Sequence, residues 1–317
     1  MTEATLRITF AGPHVSIQDA GRPGLMRYGV PASGPMDRQS FALANAALGN
    51  PANHPGIEIS LGGLSLHCLT GDVTLALVGG GFIAETKARK LGAWNVLTLR
   101  AGETLTIRPG PWGGWSYLAV AGKLQAKAWL GSHATHGSSG FGGGKLTTGQ
   151  TLTITDPEIH PDREGPVPCP VWARPRHLLR CTLGPQERFF DAETLTTFTS
   201  ARFETTDAFD RMGLRLRGPA LIPAAALSIP SEPILRGSVQ VSGDGTATVL
   251  LSDHQTTGGY PKIATILADD LDAFVQCRPR DAVMFQAITP AEAIAITRQN
   301  ATRFATFEDR LRGRQMP

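Results

Sequence analysis

Short runs of alternating apolar residues, separated by clusters of glycine and proline, recur along most of this chain. The clearest β-like runs of the first half are 5–10, 73–78, 103–109, 115–122 and 151–155. Those of the second half are 177–183, 238–241 and 248–252. Gly243-Asp244-Gly245 joins the last two as a predicted hairpin turn. Because 36 glycines and 23 prolines leave little room for long helices, the pattern predicts a mainly β fold with a few short helices.

Helical patterns are confined to four segments. Residues 37–48 carry apolar side chains on one face and are followed by Gly49. The sequence Thr289-Pro290-Ala291-Glu292 is a capping box, which opens a predicted helix towards Asn300. Two shorter helices are predicted over 191–198 and 269–276.

The chain length of 317 residues exceeds the usual size of one hydrophobic core. A polar stretch rich in proline, 155–175, separates the two halves, and prolines at this density disfavour a regular sheet ladder. We therefore predict a first β-barrel-like domain over 1–160, a linker over 161–175 and a second such domain over 176–317.

Composition excludes several classes of function. The net charge of +3 comes without any block of Lys and Arg, so we expect no nucleic-acid partner. The N-terminus lacks the pattern of a signal peptide, and no apolar run approaches the roughly 20 residues of a membrane span, so we expect a cytoplasmic protein without membrane contact. Four cysteines without a CxxC pair indicate free buried thiols. His133 and His136 lack a third nearby ligand, so we predict no metal site.

Five motifs are too specific to be explained as ordinary turns. They are QDxGRxG at 18–24, GVPxxGxMD at 29–37, ANxxLGN at 44–50, DRMGxRLxGP at 210–219 and DxQTTGGYPKIAT at 253–265. Together they resemble the family that contains the C-type subunit of 5-oxoprolinase, the KipA and allophanate hydrolase subunit 2 proteins, and the carboxyltransferase domain of urea carboxylase. The resemblance covers nearly the whole chain, and it implies two tandem cyclophilin-like β-barrel domains.

The resemblance implies three possible functions. The first is the C-type subunit of an ATP-dependent 5-oxoprolinase, which would work with a KipI-like B-type subunit to activate the 5-oxoproline lactam. An A-type subunit would complete hydrolysis to L-glutamate, and ATP with magnesium would bind at a site shared with the B-type subunit. The second is the carboxyltransferase component of a biotin-dependent carboxylase acting on urea or a similar amide, the one case in which biotin is involved. The third is a regulator that binds a KipI-type kinase inhibitor.

Two departures from the family pattern bear on the substrate. Residues 77–82 and 130–144 differ from the sequences usual there, and the second lacks an arginine that is typical of the family. If that arginine handles an anion in other members, the substrate of this chain differs from theirs.

The first glycine-rich stretch supplies the candidate substrate-binding residues Gln18, Asp19, Arg22 and Asp37. Asp19 and Arg22 form either a ligand-binding pair or a salt bridge that holds a loop. Asp37 also stands where it would cap the following helix, which is a sufficient structural reason for it.

Further candidates come from the second half of the chain. Gln240, Gln255 and Gln276 suit an amide or a lactam, because each offers both a donor and an acceptor. Arg211 is a candidate substrate ligand, and a fold-holding pair with Asp210 is the structural alternative.

The stretch Gln255 to Lys262 is predicted to be a site as well as a turn. Thr256 and Thr257 place hydroxyls beside Gly258 and Gly259, where a ligand can approach the backbone. Tyr260 offers a stacking face. Lys262, Thr257 and Gln255 are the predicted catalytic residues, with Lys262 aimed at a phosphate or a carboxylate. The alternative is that Lys262 is a surface lysine at the start of a strand.

Overall fold

The structure, a computed structural model, describes residues 2–224 and 229–313. Strands β1 to β13 are Glu3–Ala11, Ser16–Gln18, Gly56–Ser60, Leu64–Thr70, Val73–Val78, Ile83–Glu85, Lys90–Gly92, Asn95–Leu99, Thr104–Arg108, Trp115–Val120, Lys123–Leu124, Thr151–Thr155 and Gly165–Pro166. Strands β14 to β22 are Leu178–Leu183, Phe203–Phe209, Gly213–Arg217, Glu232–Pro233, Ser238–Val241, Ala247–Leu250, Thr257–Gly258, Lys262–Ile266 and Ala282–Ala287. Helices α1 to α4 are Arg38–Leu48, Ala192–Ser200, Ala268–Phe274 and Pro290–Arg312.

The chain divides into two compact units that are discontinuous in sequence. The first consists of Met1–Arg22, Ser33–Arg174 and Phe304–Pro317, and the second of Pro23–Ala32 and Pro175–Arg303. The predicted domains were continuous ranges, so each unit contains a segment that sequence reasoning placed in the other half. The predicted linker 161–175 lies almost wholly within the first unit. There, Gly165 and Pro166 pair with Val96 and Asn95 at the edge of a sheet, where proline is tolerated.

Two sheets form the first unit. One has seven strands in the order β11-β12-β1-β4-β9-β6-β7, and the other has six in the order β13-β8-β5-β10-β3-β2. Alternate residues point to the shared core, for example Leu6 and Ile8 from β1 and Leu75 and Leu77 from β5. Helix α1 packs against β5 and β10.

A closed barrel forms the second unit, with the strand order β14-β21-β18-β19-β16-β15-β22. Neighbouring strands are antiparallel except β14 and β22, which run parallel and close the barrel. Helix α2 covers β22, where Phe198 stacks on Phe285 with ring centroids 4.4 Å apart. Asp270 of α3 is fully buried and binds Arg176 and Arg180.

The predicted mainly β fold class is confirmed. The hairpin across Gly243-Asp244-Gly245 joins β18 to β19, and the capping box begins α4, where Thr289 N donates to Glu292 Oε2 over 2.8 Å. Helix α4 runs 12 residues beyond Asn300, because no glycine or proline interrupts the chain before Gly313. Within residues 2–224 and 229–313, no helix is both long and apolar enough to cross a membrane.

Candidate functional site

The predicted site residues fall into two groups, one in each unit. Gln18, Asp19, Arg22 and Asp37 belong to the first unit, and Arg211, Gln240 and the stretch 255–262 belong to the second.

Asp19 and Arg22 are buried and both bind the same loop of the first unit. Asp19 accepts hydrogen bonds from Ser132 Oγ over 2.6 Å and from the backbone N–H of His133 over 2.6 Å. Arg22 donates to the carbonyl oxygens of Trp129 and Ala134, and its guanidinium lies 5.0 Å from the centroid of the Trp129 ring. Asp19 and Arg22 therefore hold the loop 129–134, each through its own contacts, and their substrate-binding role stays a prediction.

Gln18 and Asp37 also have structural contacts in the first unit. Gln18 Nε2 donates to Ser16 Oγ over 2.9 Å and to the carbonyl of Thr135 over 3.2 Å. Asp37 is the N-cap of α1, where it accepts from Ser40 N over 2.9 Å and from Ser40 Oγ over 2.6 Å. The predicted capping role of Asp37 is therefore confirmed.

A buried acidic cluster next to Asp37 was not predicted. Glu58 Oε2 accepts hydrogen bonds from Met36 N over 2.7 Å and from the Tyr117 hydroxyl over 3.1 Å, and that hydroxyl accepts from Asp37 N over 2.7 Å. Burial, followed by the charges of Glu58 and Asp37, raises the pKa of Tyr117 well above its usual range. Tyr117 therefore remains protonated at neutral pH and acts as a buried hydrogen-bond donor to Glu58.

Five of the predicted residues of the second unit lie around one cavity of about 710 Å³. Gln240, Gln255, Gly258, Gly259 and Tyr260 line it. Further lining residues that sequence reasoning did not select are Asp207, Asp210, Met212, Arg215, Ser242 and Thr248. This volume is in the range of small-molecule sites.

One wall of the cavity is a row of polar side chains across three neighbouring strands. Arg215 of β16 pairs in register with Thr248 of β19, and Thr248 pairs with Gln240 of β18. Directly opposed residues of antiparallel strands share one face of the sheet. The adjacent residues Leu214, Val249 and Val239 form the corresponding row on the other face and are at most 2% exposed. The polar row therefore faces away from the barrel core and into the cavity.

Gln240 has an unmatched hydrogen-bond donor in this wall. Its Nε2 is buried and has no partner among the residues that the structure describes. A buried amide N–H without an acceptor costs about 1–3 kcal/mol, so an acceptor from a ligand or a water would stabilise it. Gly258 lies directly against this amide, since a Cβ at Gly258 would be 2.5 Å from Gln240 Nε2. The glycine thus gives the Gln240 amide its space.

Lys262 is 1% exposed, so the alternative that it is a surface lysine is wrong. Its Nζ lies 3.8 Å from Glu232 Oε2 and makes no hydrogen bond within the described parts of the chain. Gln186 binds the backbone of Lys262 and the carboxylate of Glu232, because its Oε1 accepts from Lys262 N over 2.9 Å and its Nε2 donates to Glu232 Oε2 over 2.5 Å. Burial lowers the pKa of Lys262, and the Glu232 carboxylate opposes that effect.

Lys262 and the two threonines do not line the cavity. Thr257 and Gly258 form β20, which pairs with Pro233 and Glu232 of β17. The carbonyl of Thr256 accepts from Ile234 N over 3.2 Å. Residues 256–258 thus form one strand of a two-stranded ribbon. This ribbon places Gly258 against the Gln240 amide and Glu232 beside Lys262.

Arg211 forms a buried bidentate pair with Asp253, with Nε–Oδ2 and Nη2–Oδ1 distances of 2.8 and 3.1 Å. Asp210 instead accepts from the backbone N–H groups of Met212 and Gly213. The fold-holding partner that the structure shows for Arg211 is therefore Asp253, which sequence reasoning missed because 42 residues separate the two. Gln276 is fully buried.

Across residues 2–224 and 229–313, no cluster of three or more His, Cys, Asp or Glu side chains could hold a metal ion. His136 Nδ1 instead lies 2.7 Å from Ser139 Oγ, within the same loop.

Comparison with known proteins identifies the family. The model of the "Carboxyltransferase domain, subdomain A and B" matches residues 28–287. This chain belongs to that carboxyltransferase domain family. A family relative, the C-type subunit of the 5-oxoprolinase of Escherichia coli strain K12, is 32% identical over 302 residues, which are 94% of this chain and 96% of that protein.

Two larger proteins contain a region similar to this chain. The urea amidolyase of Saccharomyces cerevisiae is 30% identical over 309 residues, which are 88% of this chain and 16% of that protein. The crystal structure of Kluyveromyces lactis urea carboxylase superposes with a TM-score of 0.86 at 23% identity, over 97% of this chain and 29% of that one. At this identity the superposition shows a shared fold and nothing about substrate.

Proposed function

We propose that this chain is the C-type subunit of an ATP-dependent 5-oxoprolinase, which works with a B-type subunit to activate the 5-oxoproline lactam. An A-type subunit would complete hydrolysis to L-glutamate. The similarity to the Escherichia coli protein supports this proposal, because it extends over 96% of that protein. The name of that relative also implies a complex of several subunits.

The main structural support for this function is the unmatched hydrogen-bond donor of the Gln240 side-chain amide. A lactam presents one carbonyl acceptor and one N–H donor, and a glutamine amide can satisfy both. Gln240 offers a buried Nε2 without a partner in the described residues, on the wall of a cavity that Gln255 also lines. Gln240 is therefore assigned the role of orienting the lactam, as a group that holds substrate in place.

ATP enters this proposal as a second substrate. Transfer of the terminal phosphoryl group of ATP to the lactam oxygen would release ADP and convert a poor electrophile into a reactive one, and attack of water on that carbon would later open the ring and release phosphate. Lys262, the predicted catalytic residue, supplies a cation close to the ribbon that carries Gly258, and its charge favours a phosphate or a carboxylate. ATP with its magnesium would bind at a site shared with the B-type subunit, where the phosphates would supply several of the magnesium ligands.

The family match also supports one alternative function. The carboxyltransferase description of the family and the Saccharomyces cerevisiae relative favour a component of a biotin-dependent carboxylase acting on urea or a similar amide. Gln240 would serve a urea amide as well as a lactam. In that case biotin would be bound during turnover, and carboxyl transfer would require no ATP at this chain.

Reconstitution tests the proposal. The chain should co-purify with a B-type subunit, and addition of an A-type subunit should give ATP hydrolysis that depends on 5-oxoproline and releases L-glutamate. The isolated chain should show no turnover. Robust 5-oxoprolinase activity of the isolated chain would contradict the proposed function. ATP hydrolysis by the assembled complex that does not depend on 5-oxoproline would also contradict it.

A further inference from the structure

Arg215 stands at the far end of the polar row from Gln240. It is exposed and lines the same cavity as Gln240 and Thr248. Neighbouring strands of a sheet are about 4.8 Å apart, so the backbones of β16 and β18 are separated by about two such spacings. Thr248 lies between Arg215 and Gln240, in register with both.

The ends of the row suit two different chemical groups. At one end, Gln240 can exchange hydrogen bonds with an amide. At the other end, Arg215 presents a planar guanidinium, whose parallel N–H groups match a carboxylate. Thr248 can donate a further hydrogen bond to either group.

We infer that Arg215 and Thr248 form a carboxylate subsite, so that this cavity selects an amide that also carries an acid group. The inference rests on the proposed function, since it concerns the same cavity, and it adds the residues that determine specificity. Arg215 would distinguish 5-oxoproline, which has a carboxylate next to its lactam nitrogen, from a neutral lactam or from urea.

Two carboxylates also line the cavity and oppose an anionic ligand. Asp210 keeps its charge while its Oδ1 accepts from the N–H groups of Met212 and Gly213 over 2.7 and 3.0 Å, but it is exposed, so solvent screens that charge. Asp207 is exposed, so solvent screens its charge. Arg215 is the cation among the cavity-lining residues that the structure describes.

Calorimetry on the full-length chain tests the subsite, with L-5-oxoproline compared against 2-pyrrolidinone, the same ring without the carboxylate. We expect 5-oxoproline to bind at least about tenfold more tightly, which corresponds to about 1.4 kcal/mol. Arg215→Met should remove this preference and leave the affinity for 2-pyrrolidinone unchanged. Arg217→Met is the matched control, because Arg217 is two residues further along β16 on the same face but does not line this cavity.

The outcomes distinguish a failure of the proposed subsite from a failure of the proposed function. Equal affinities for the two lactams, no binding of either, or an equal loss of both in Arg215→Met would overturn the subsite. ATP hydrolysis of the assembled complex would still decide the proposed function. Conversely, an Arg215-dependent preference for 5-oxoproline over 2-pyrrolidinone would uphold the subsite. If ATP hydrolysis by the assembled complex were at the same time independent of 5-oxoproline, the proposed function would be overturned.

Discussion

Lys262 carries its ammonium group almost completely out of solvent, beside one carboxylate that is itself half-exposed. A buried cation whose nearest carboxylate is 3.8 Å away destabilises the fold more than an apolar group of equal size would. Such an arrangement is unfavourable for stability, and ionisable groups whose pKa is shifted by burial concentrate at functional sites.

Replacement of Lys262 by methionine separates function from stability. Lys262→Met keeps most of the volume and removes the charge, so we expect an unchanged or raised melting temperature. We expect 5-oxoproline-dependent ATP hydrolysis of the assembled complex to fall about 100-fold, which is the usual cost of losing one stabilising donor. Lys262→Ala is the poorer test, since it also leaves a cavity. Full activity of Lys262→Met would remove Lys262 from the mechanism.

The pH dependence of unfolding offers an independent readout of Lys262. Because burial lowers its pKa in the folded protein, the unfolded chain binds more protons between that lowered pKa and the ordinary value of 10.5. The destabilising contribution is therefore complete below the lowered pKa, and it is relieved as the pH rises towards 10.5. This alkaline gain in the free energy of unfolding should be absent from Lys262→Met, as measured by denaturant unfolding at several pH values.

At the scale of elements, strand β20 brings a glycine against the Gln240 amide. The nearest atom to a Cβ at Gly258 would be Gln240 Nε2 at 2.5 Å, which is the end of a flexible side chain. Gly258→Ala should therefore displace the amide without disturbing the barrel. We expect a change in stability within about 0.5 kcal/mol and at least a tenfold weaker affinity for 5-oxoproline, measured by calorimetry.

A second glycine provides the control for this prediction. Gly92 at the end of β7 has no atom within 4 Å of its ideal Cβ position. Gly92→Ala should leave both stability and affinity unchanged. If Gly258→Ala binds 5-oxoproline as the unmodified protein does, the orientation of Gln240 does not contribute to binding.

Strand β16 could have been predicted from the sequence but was missed. Its residues Leu214 and Leu216 are buried and alternate with the exposed Arg215 and Arg217, which is a clear period of two. The stretch was interpreted only as part of a family motif, so neither the strand nor the position of Arg215 at the cavity was predicted. Gln240 was predicted, because its side-chain chemistry could be judged without knowing its neighbours.

The burial of Lys262 could not be predicted in the same way. It depends on Gln186 and Glu232, which lie 76 and 30 residues away in sequence. No local pattern reports such contacts. The same holds for Asp19 and Arg22, whose partners in the loop 129–134 are more than 100 residues away.

At the scale of the whole molecule, the two functions considered for this chain differ in what they require besides the amide. Carboxyl transfer needs biotin, whereas lactam activation needs ATP and a partner protein. Both reactions handle an amide, so amide binding by Gln240, as proposed above, would not distinguish them. The discriminating measurement must therefore detect the cofactor directly.

We predict that biotin has no part in the working complex. Calorimetry of the isolated chain with free biotin should show no binding, and excess avidin should leave 5-oxoproline-dependent ATP hydrolysis of the complex unchanged. ATP hydrolysis without avidin serves as the reference, and avidin saturated with biotin controls for nonspecific inhibition. A biotin site of low-micromolar affinity, or inhibition by free avidin alone, would favour the carboxyltransferase function. The polar row would then have to accommodate urea, which lacks a carboxylate for Arg215, so Arg215→Met should leave the binding of urea unaffected.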